Sequence, residues 1–164
     1  MKPGIYLDKM LPQDFEAFFT LTGKKQVMEL ITGRALTREE SLAKFNSLLK
    51  NNRLHESLGS FIVMDGTDST MLGFAKLEIT EEDRNNAELG FMLLPEFWGR
   101  GYGREIAEQL MGIAESHPGL NRVYANIDPD NMASRKILLR MGFVSEELGV
   151  IDGLPSEIFG RKLK

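Results

Sequence analysis

Between Pro95 and Glu105 the chain reads PEFWGRGYGRE, so that Gly99, Gly101 and Gly103 alternate with Arg100 and Tyr102 ahead of Arg104. Glycines this dense either turn a chain sharply or let its backbone approach a ligand closely. Backbone N–H groups at a helix start have no partners inside the helix and sit at the positive end of its dipole. They attract an anion wherever side chains stay clear. The three glycines remove those side chains, and Arg100 and Arg104 add charge. A strand-to-helix turn with incidental glycines is the plainer alternative. Two named phosphate loops fail on spacing. A dinucleotide fingerprint counted from Gly99 needs glycine where Arg104 stands, and no Gly-Lys-Ser/Thr follows for a P-loop.

Three other residues carry chemistry. Glu88 lies in the otherwise apolar run AELGFMLL, where glutamate is disfavoured in a strand. Strand alternation puts Glu88, Gly90 and Met92 on one face and Leu89, Phe91 and Leu93 on the other. A carboxylate there could take a proton from an amine, directly or through water, whereas a charge at a strand end facing solvent is the alternative. Asn131 and Ser134 are three apart in NMASRKILLRMGF, so one side of a helix start presents both. Asn is also favoured at a helix start for its own sake. Glu105 suits the dipole of the helix it opens. His55 and His117 fall in polar loops with no metal-ligand partner at useful spacing and read as surface histidines.

The elements that must position these residues follow in order. GIYLDKM, Gly4 to Met10, opens as a strand. A helix carries Phe15, Phe18 and Phe19, and a short one spans Gln26 to Ile31. TREESLAKFNSLLK has Thr37 and Glu40 at capping-box spacing and an apolar face of Leu42, Phe45, Leu48 and Leu49. SFIVMDG, TMLGFAKLEI and AELGFMLL are then joined by short polar turns, the pattern of an antiparallel meander. The glycine stretch leads into a helix, Gly103 to Ser116, with Ile106, Ala107, Leu110, Ile113 and Ala114 on one side. RVYANI is a strand. The last helix is capped by Asp128 or Asp130 and stopped at Gly142. Strands near Val144 to Val150 and Ser156 to Lys162 close the chain. This order gives an α/β (α+β) fold with a mixed, mostly antiparallel seven-stranded sheet flanked by helices, the strand–helix–strand unit favouring a parallel pair.

At 164 residues, 42% apolar and 27% charged, the chain suits one domain over residues 1–164. It contains no cysteine, which excludes disulfides and thiolate catalysis. A net charge of −4 opposes binding along a nucleic-acid backbone. No apolar run approaches the roughly 20 residues of a spanning helix, and the N-terminus carries no leader pattern; the expectation is cytoplasmic, with no membrane partner.

The two glycine and asparagine blocks together resemble the GCN5-related N-acetyltransferase (GNAT) family. Its acyl-CoA motif, Gln/Arg-x-x-Gly-x-Gly/Ala, falls on Gly101 and Gly103, with Trp98 departing from the first position. Trp-Gly-x-Gly-Tyr is similar to the branch of ribosomal-protein N-terminal acetyltransferases, and Asn131, Ser134 and Gly142-Phe143 match the second block. The resemblance implies acetyl-CoA as co-substrate and no metal. It implies that the amides from Arg100 to Arg104 bind the CoA pyrophosphate, with Arg100 and Arg104 pairing to phosphates and Tyr102 packing nearby. Asn131 and Ser134 would line the pantetheine and sulfur, Glu88 would be the base, and Ser134 could assist the leaving thiolate. Backbone N–H groups among Met92, Leu93 and Leu94 would receive the oxyanion. Leu138 stands where many members carry an acidic tyrosine. The acceptor would be a protein α-amine or small-molecule amine, attacking directly in a ternary complex; a homodimer is compatible. A CoA-binding sensor without catalysis is the alternative.

Overall fold

The structure, a computed structural model, describes residues 4–163. Residues 1–3, part of the stretch searched for a leader, and residue 164 lie outside that range. The elements are β1 (Ile5–Lys9), α1 (Phe15–Thr22), α2 (Lys25–Met28), α3 (Arg38–Asn52), β2 (Gly59–Asp65), β3 (Met71–Glu78), β4 (Asn86–Leu93), α4 (Tyr102–Glu115), β5 (Arg122–Ile127), α5 (Met132–Arg140), β6 (Val144–Ile151) and β7 (Leu154–Lys162). Short 3-10 turns at Pro12–Asp14 and Pro95–Phe97 precede α1 and follow β4.

The local chemistry of α3 is explicit. The Glu40 N–H donates to the Thr37 hydroxyl at 3.1 Å, and the Thr37 N–H donates to the Glu40 carboxylate at 2.9 Å. The Arg34 guanidinium, followed by the Thr37 N–H, brings the Glu40 pKa down to about 2. The buried stripe is turned slightly from the expected one. Phe45 and Leu48 are buried, but Leu42 is exposed and Ser41 is buried in its place. The stripe runs through 41, 45 and 48 because Ser41 and Thr22 share a buried hydroxyl–hydroxyl bond of 2.6 Å between α3 and α1.

All seven strands form one sheet in the order β1-β2-β3-β4-β5-β7-β6. Only the β4–β5 pair is parallel. One apolar layer joins β-strand residues such as Val63, Ala75 and Leu89 to Ile106, Leu110 and Ala114 of α4 and Leu138 of α5. On the opposite face Phe18, Leu21, Phe45 and Leu48 of α1 and α3 pack on Ile62 and Phe74. The sheet therefore separates a face covered by α4 and α5 from a face covered by α1 to α3.

One break in the ladder governs the site. β4 and β5 pair only at Asn86 with Arg122, Ala87 with Val123 and Glu88 with Tyr124. Beyond that point β4 remains paired to β3 as far as Leu93, and β5 to β7 as far as Ile127. The two strands part from Leu89 onward and leave a fork in the middle of the sheet.

Candidate active site

The register decides which backbone groups face the fork. The Leu94 N–H donates to the Leu72 carbonyl at 3.0 Å. Antiparallel ladders alternate, so the amides of Gly90 and Met92 also turn toward β3; on the other side Leu89 serves the last rung with β5, and Phe91 and Leu93 turn toward the gap. Of the three oxyanion amides expected from the sequence, Met92 and Leu94 are thus directed into the sheet, and Leu94 is itself a buried core residue. Leu93 keeps its amide on the open side, and Phe91 joins it. The Leu93 carbonyl is already occupied, because the Trp98 indole N–H donates to it at 2.9 Å. That bond folds the chain back after the 3-10 turn, so Trp98 fixes the geometry between β4 and the glycine turn.

The glycines divide into two kinds. Gly99 and Gly101 adopt φ of 73° and 85°, the left-handed region that costs other residues strain, and Gly101 is the N-cap of α4. Gly103 serves close packing instead: a Cβ there would lie 3.1 Å from both Ile137 Cδ1 and Phe91 Cε2. The Glu105 N–H closes a helical bond to the Gly101 carbonyl, so the Gly103 and Arg104 amides lie in the first turn, where a helix has no carbonyl to offer them. Glu105 also ties α4 to the sheet edge by accepting the Ile5 N–H at 2.9 Å.

Around this turn lies a cavity of about 1110 Å³, lined by Gly99, Gly101 to Arg104, Phe91 to Leu93, Trp98, Asn131, Ser134 and Ile137. Tyr102 lines it, and its ring meets Phe97 edge-on at 6.2 Å. Arg104 lines it and reaches Glu108 at 3.4 Å. The Arg100 guanidinium lies 5.8 Å over the ring of Phe97, which also lines the cavity. Lys136 and Arg140 line the cavity too. They stand one turn apart on α5, a spacing visible in SRKILLR but not read as part of the site.

Asn131, not Asp128 or Asp130, caps α5: its side-chain oxygen accepts the Ser134 N–H at 3.2 Å. Asp128 accepts the Asp130 N–H and shapes the preceding turn. Leu138 is buried in the α4–α5 core. The next residue after Ser134 anchors the helix. Arg135 makes two hydrogen bonds to Glu157, which is 2% exposed, and the Ser145 hydroxyl donates to the same carboxylate at 2.6 Å. Arg135 first and Ser145 second hold Glu157 below the usual carboxylate range.

A second cavity of about 830 Å³ opens on the α1–α3 face and is lined by Phe18, Phe74, Lys76, Glu88, Asn126 and Leu154 among others. Phe91, Met92, Asn131 and Ser134 line both cavities, as do Leu30 and Ile31 of the loop after α2. The two spaces therefore meet at the fork. Glu88 is partly exposed and forms an ion pair with Lys76 at 3.1 Å. On the β5 side of the fork the Ser156 hydroxyl donates to Asn126 Oδ1 at 2.6 Å, and both residues line the cavity. Tyr124, paired with Glu88 at the last rung, has its pKa raised by burial first and by the Glu88 charge second. Lys76, Asn126 and Tyr124 escaped sequence reasoning because only the fork and the register bring them to Glu88. The two histidines also meet unexpectedly: half-buried, their rings are 4.4 Å apart.

Comparison with known proteins agrees with this fold. Residues 5–144 match the model of the acetyltransferase (GNAT) domain, and the chain belongs to that family. An N-acetyltransferase of Bacillus subtilis, YoaA, is 26% identical over 145 residues, which are 87% of this chain and 80% of that protein. The structure of spermidine N-acetyltransferase from Vibrio cholerae with CoA and spermine superposes with a TM-score of 0.78 at 17% identity, over 96% of this chain and 95% of that one. RimL, an α-N-acetyltransferase of ribosomal protein L7/L12 solved with CoA, superposes at 0.79 with 16% identity, over 98% and 94%. The chain is thus a GNAT-type N-acetyltransferase that uses acetyl-CoA. The likeness to the ribosomal branch widens to the family as a whole, because RimL and the spermidine enzyme superpose almost equally well, at 0.79 and 0.78. Among the described residues no helix is long and apolar enough to cross a membrane.

Proposed function

We propose that the chain, as one domain over residues 1–164, acetylates a primary amine by direct attack within a complex that holds both substrates. The observation that carries this reading is the fork. It joins the cavity at the α4 start to the cavity holding Glu88, at the place where β4 turns unpaired amides outward. The Gly103 and Arg104 amides, with Arg104, Lys136 and Arg140, receive the phosphates of the donor. Its amide-bearing arm lies along the open edge of β4 as an added strand would. Asn131 and Ser134 face the arm and the sulfur from α5.

The acceptor enters from the α1–α3 face. Glu88 takes the amine proton, directly or through water, as the nitrogen bonds to the thioester carbon. The Leu93 amide, with that of Phe91, stabilises the oxyanion that forms. Collapse breaks the carbon–sulfur bond, and the thiolate, whose acid has a pKa of about 8.5, leaves without a tyrosine to protonate it. Ser134 is the hydroxyl placed to assist. The acceptor classes in view are polyamines, as for the Vibrio cholerae enzyme, and protein α-amines, as for RimL.

Free-thiol release with acetyl-CoA and a panel of polyamines, aminoglycosides and peptides with free N-termini tests the reading. Release above hydrolysis with at least one amine, lost in Glu88→Gln, is expected. Donor binding with no release for any amine would refute it.

A further inference from the structure

The pair Lys76–Glu88 is built rather than incidental. On the antiparallel β3–β4 pair, Glu78 stands directly opposite Glu88 and Lys76 opposite Gly90. Two carboxylates facing each other across one rung repel. The Lys76 ammonium lies 3.1 Å from Glu88 and 3.7 Å from Glu78, with its side chain only 17% exposed. Its stem crosses β4 in the room left by Gly90: a Cβ there would sit 3.3 Å from Lys76 Cε and 3.6 Å from Cγ. Asn51 of α3 holds the other oxygen of Glu78 at 3.0 Å, which fixes that carboxylate in place.

From this we infer that Lys76 is the positioning residue for Glu88, holding its carboxylate turned along the acceptor cavity. The inference rests on Glu88 being the base of the proposed reaction. The charged and titratable groups around the pair are few. β3 contributes Lys76 and Glu78, and β5 contributes Tyr124, beside which Arg122 pairs with Glu146. The charge of Asp83, in the turn before β4, reaches Tyr124 but is occupied with Asn86. Lys76 is the cation in contact with Glu88. Without it Glu88 would face Glu78 across the rung with no cation between them, and repulsion would swing its carboxylate away.

Steady-state kinetics with the best amine of the panel test this, with calorimetric titration of acetyl-CoA as the control for folding and donor binding. Lys76→Met is expected to lower kcat about tenfold or more with donor affinity unchanged, and Lys76→Arg to recover most of the loss. In the Glu88→Gln background the same Lys76→Met change should have no further effect on kcat, because the lysine acts through that carboxylate. Lys76→Gln serves if Lys76→Met does not fold. A wild-type kcat in the Lys76 variant, or an equal loss with and without Glu88, overturns the inference. Full turnover in Glu88→Gln would overturn the base reading itself, a result distinct from a Lys76 effect that does not depend on Glu88.

Discussion

Two glycines of the same helix should respond in opposite directions to the same substitution. Gly112 lies in mid-α4 and an added Cβ would meet nothing within 4 Å. Alanine there relieves the entropic cost of a helical glycine, a gain of roughly 0.5–1 kcal/mol, or a rise in Tm of about 2–4 °C for each kcal/mol. At Gly103 the same methyl would come to 3.1 Å from Ile137 on α5 and Phe91 on β4. Both neighbours must yield by a few tenths of an ångström, and overpacking of this kind costs ~1–3 kcal/mol, which cancels or exceeds the propensity gain. The shift also displaces the amide proposed to receive the donor phosphates. A hydrogen bond to a charged group contributes about 1.5–3 kcal/mol, so weakening it should lower acetyl-CoA affinity roughly tenfold. Calorimetric titration of acetyl-CoA, with thermal unfolding of each variant without donor, reads both effects. Gly112→Ala should be more stable with wild-type affinity, and Gly103→Ala no more stable with weaker affinity. A Gly103→Ala protein that gains stability and binds as wild type does would refute the packing argument for the cradle.

Other outcomes follow from the same geometry. Glu88→Gln should lower turnover by a factor of about 10²–10⁴ while calorimetry finds donor affinity nearly intact, the range expected for loss of a general base. Trp98 is the chain's one tryptophan and lines the donor cavity. Its emission should therefore change on titration with acetyl-CoA and not with a free amine alone; an unresponsive spectrum at saturating donor counts against the site. The depressed pKa of Glu157 contributes stability that is complete above its unfolded value near 4.3 and is lost as pH falls through the folded value. Arg135→Met should be less stable at pH 7 and lose less stability between pH 5 and 3, as read by urea midpoints; a parallel loss in both proteins would show that the pair is not coupled to folding.

The course of the chain was legible because its punctuation is local. Thr37 and Glu40 announce α3, Gly142 stops α5, and alternation in AELGFMLL fixes the two faces of β4. The strand–helix–strand order favoured a parallel pair, and β4–β5 is that pair. What alternation does not contain is where two parallel strands stop pairing, so the direction of the β4 amides came only with the register. Lys76 was unreadable for a similar reason: twelve residues separate it from Glu88, and only the β3–β4 pairing and the absent side chain of Gly90 unite them. Lys136 and Arg140 were overlooked because their place beside the glycine turn depends on how α5 packs, not on any local motif. The second cavity is lined by Leu30, Ile31, Asn126 and Leu154, residues from separate loops and strands with no common pattern in the chain, so its shape was not legible in the sequence.

The central claim, that donor and acceptor meet at the β4–β5 fork, is tested most directly by amide chemical shifts on adding acetyl-CoA to the isotopically labelled protein. The largest changes should fall on Gly103, Arg104, Phe91, Leu93 and Ser134, with the meander turns silent. No binding at millimolar acetyl-CoA, or changes confined to surfaces away from the fork, would contradict it.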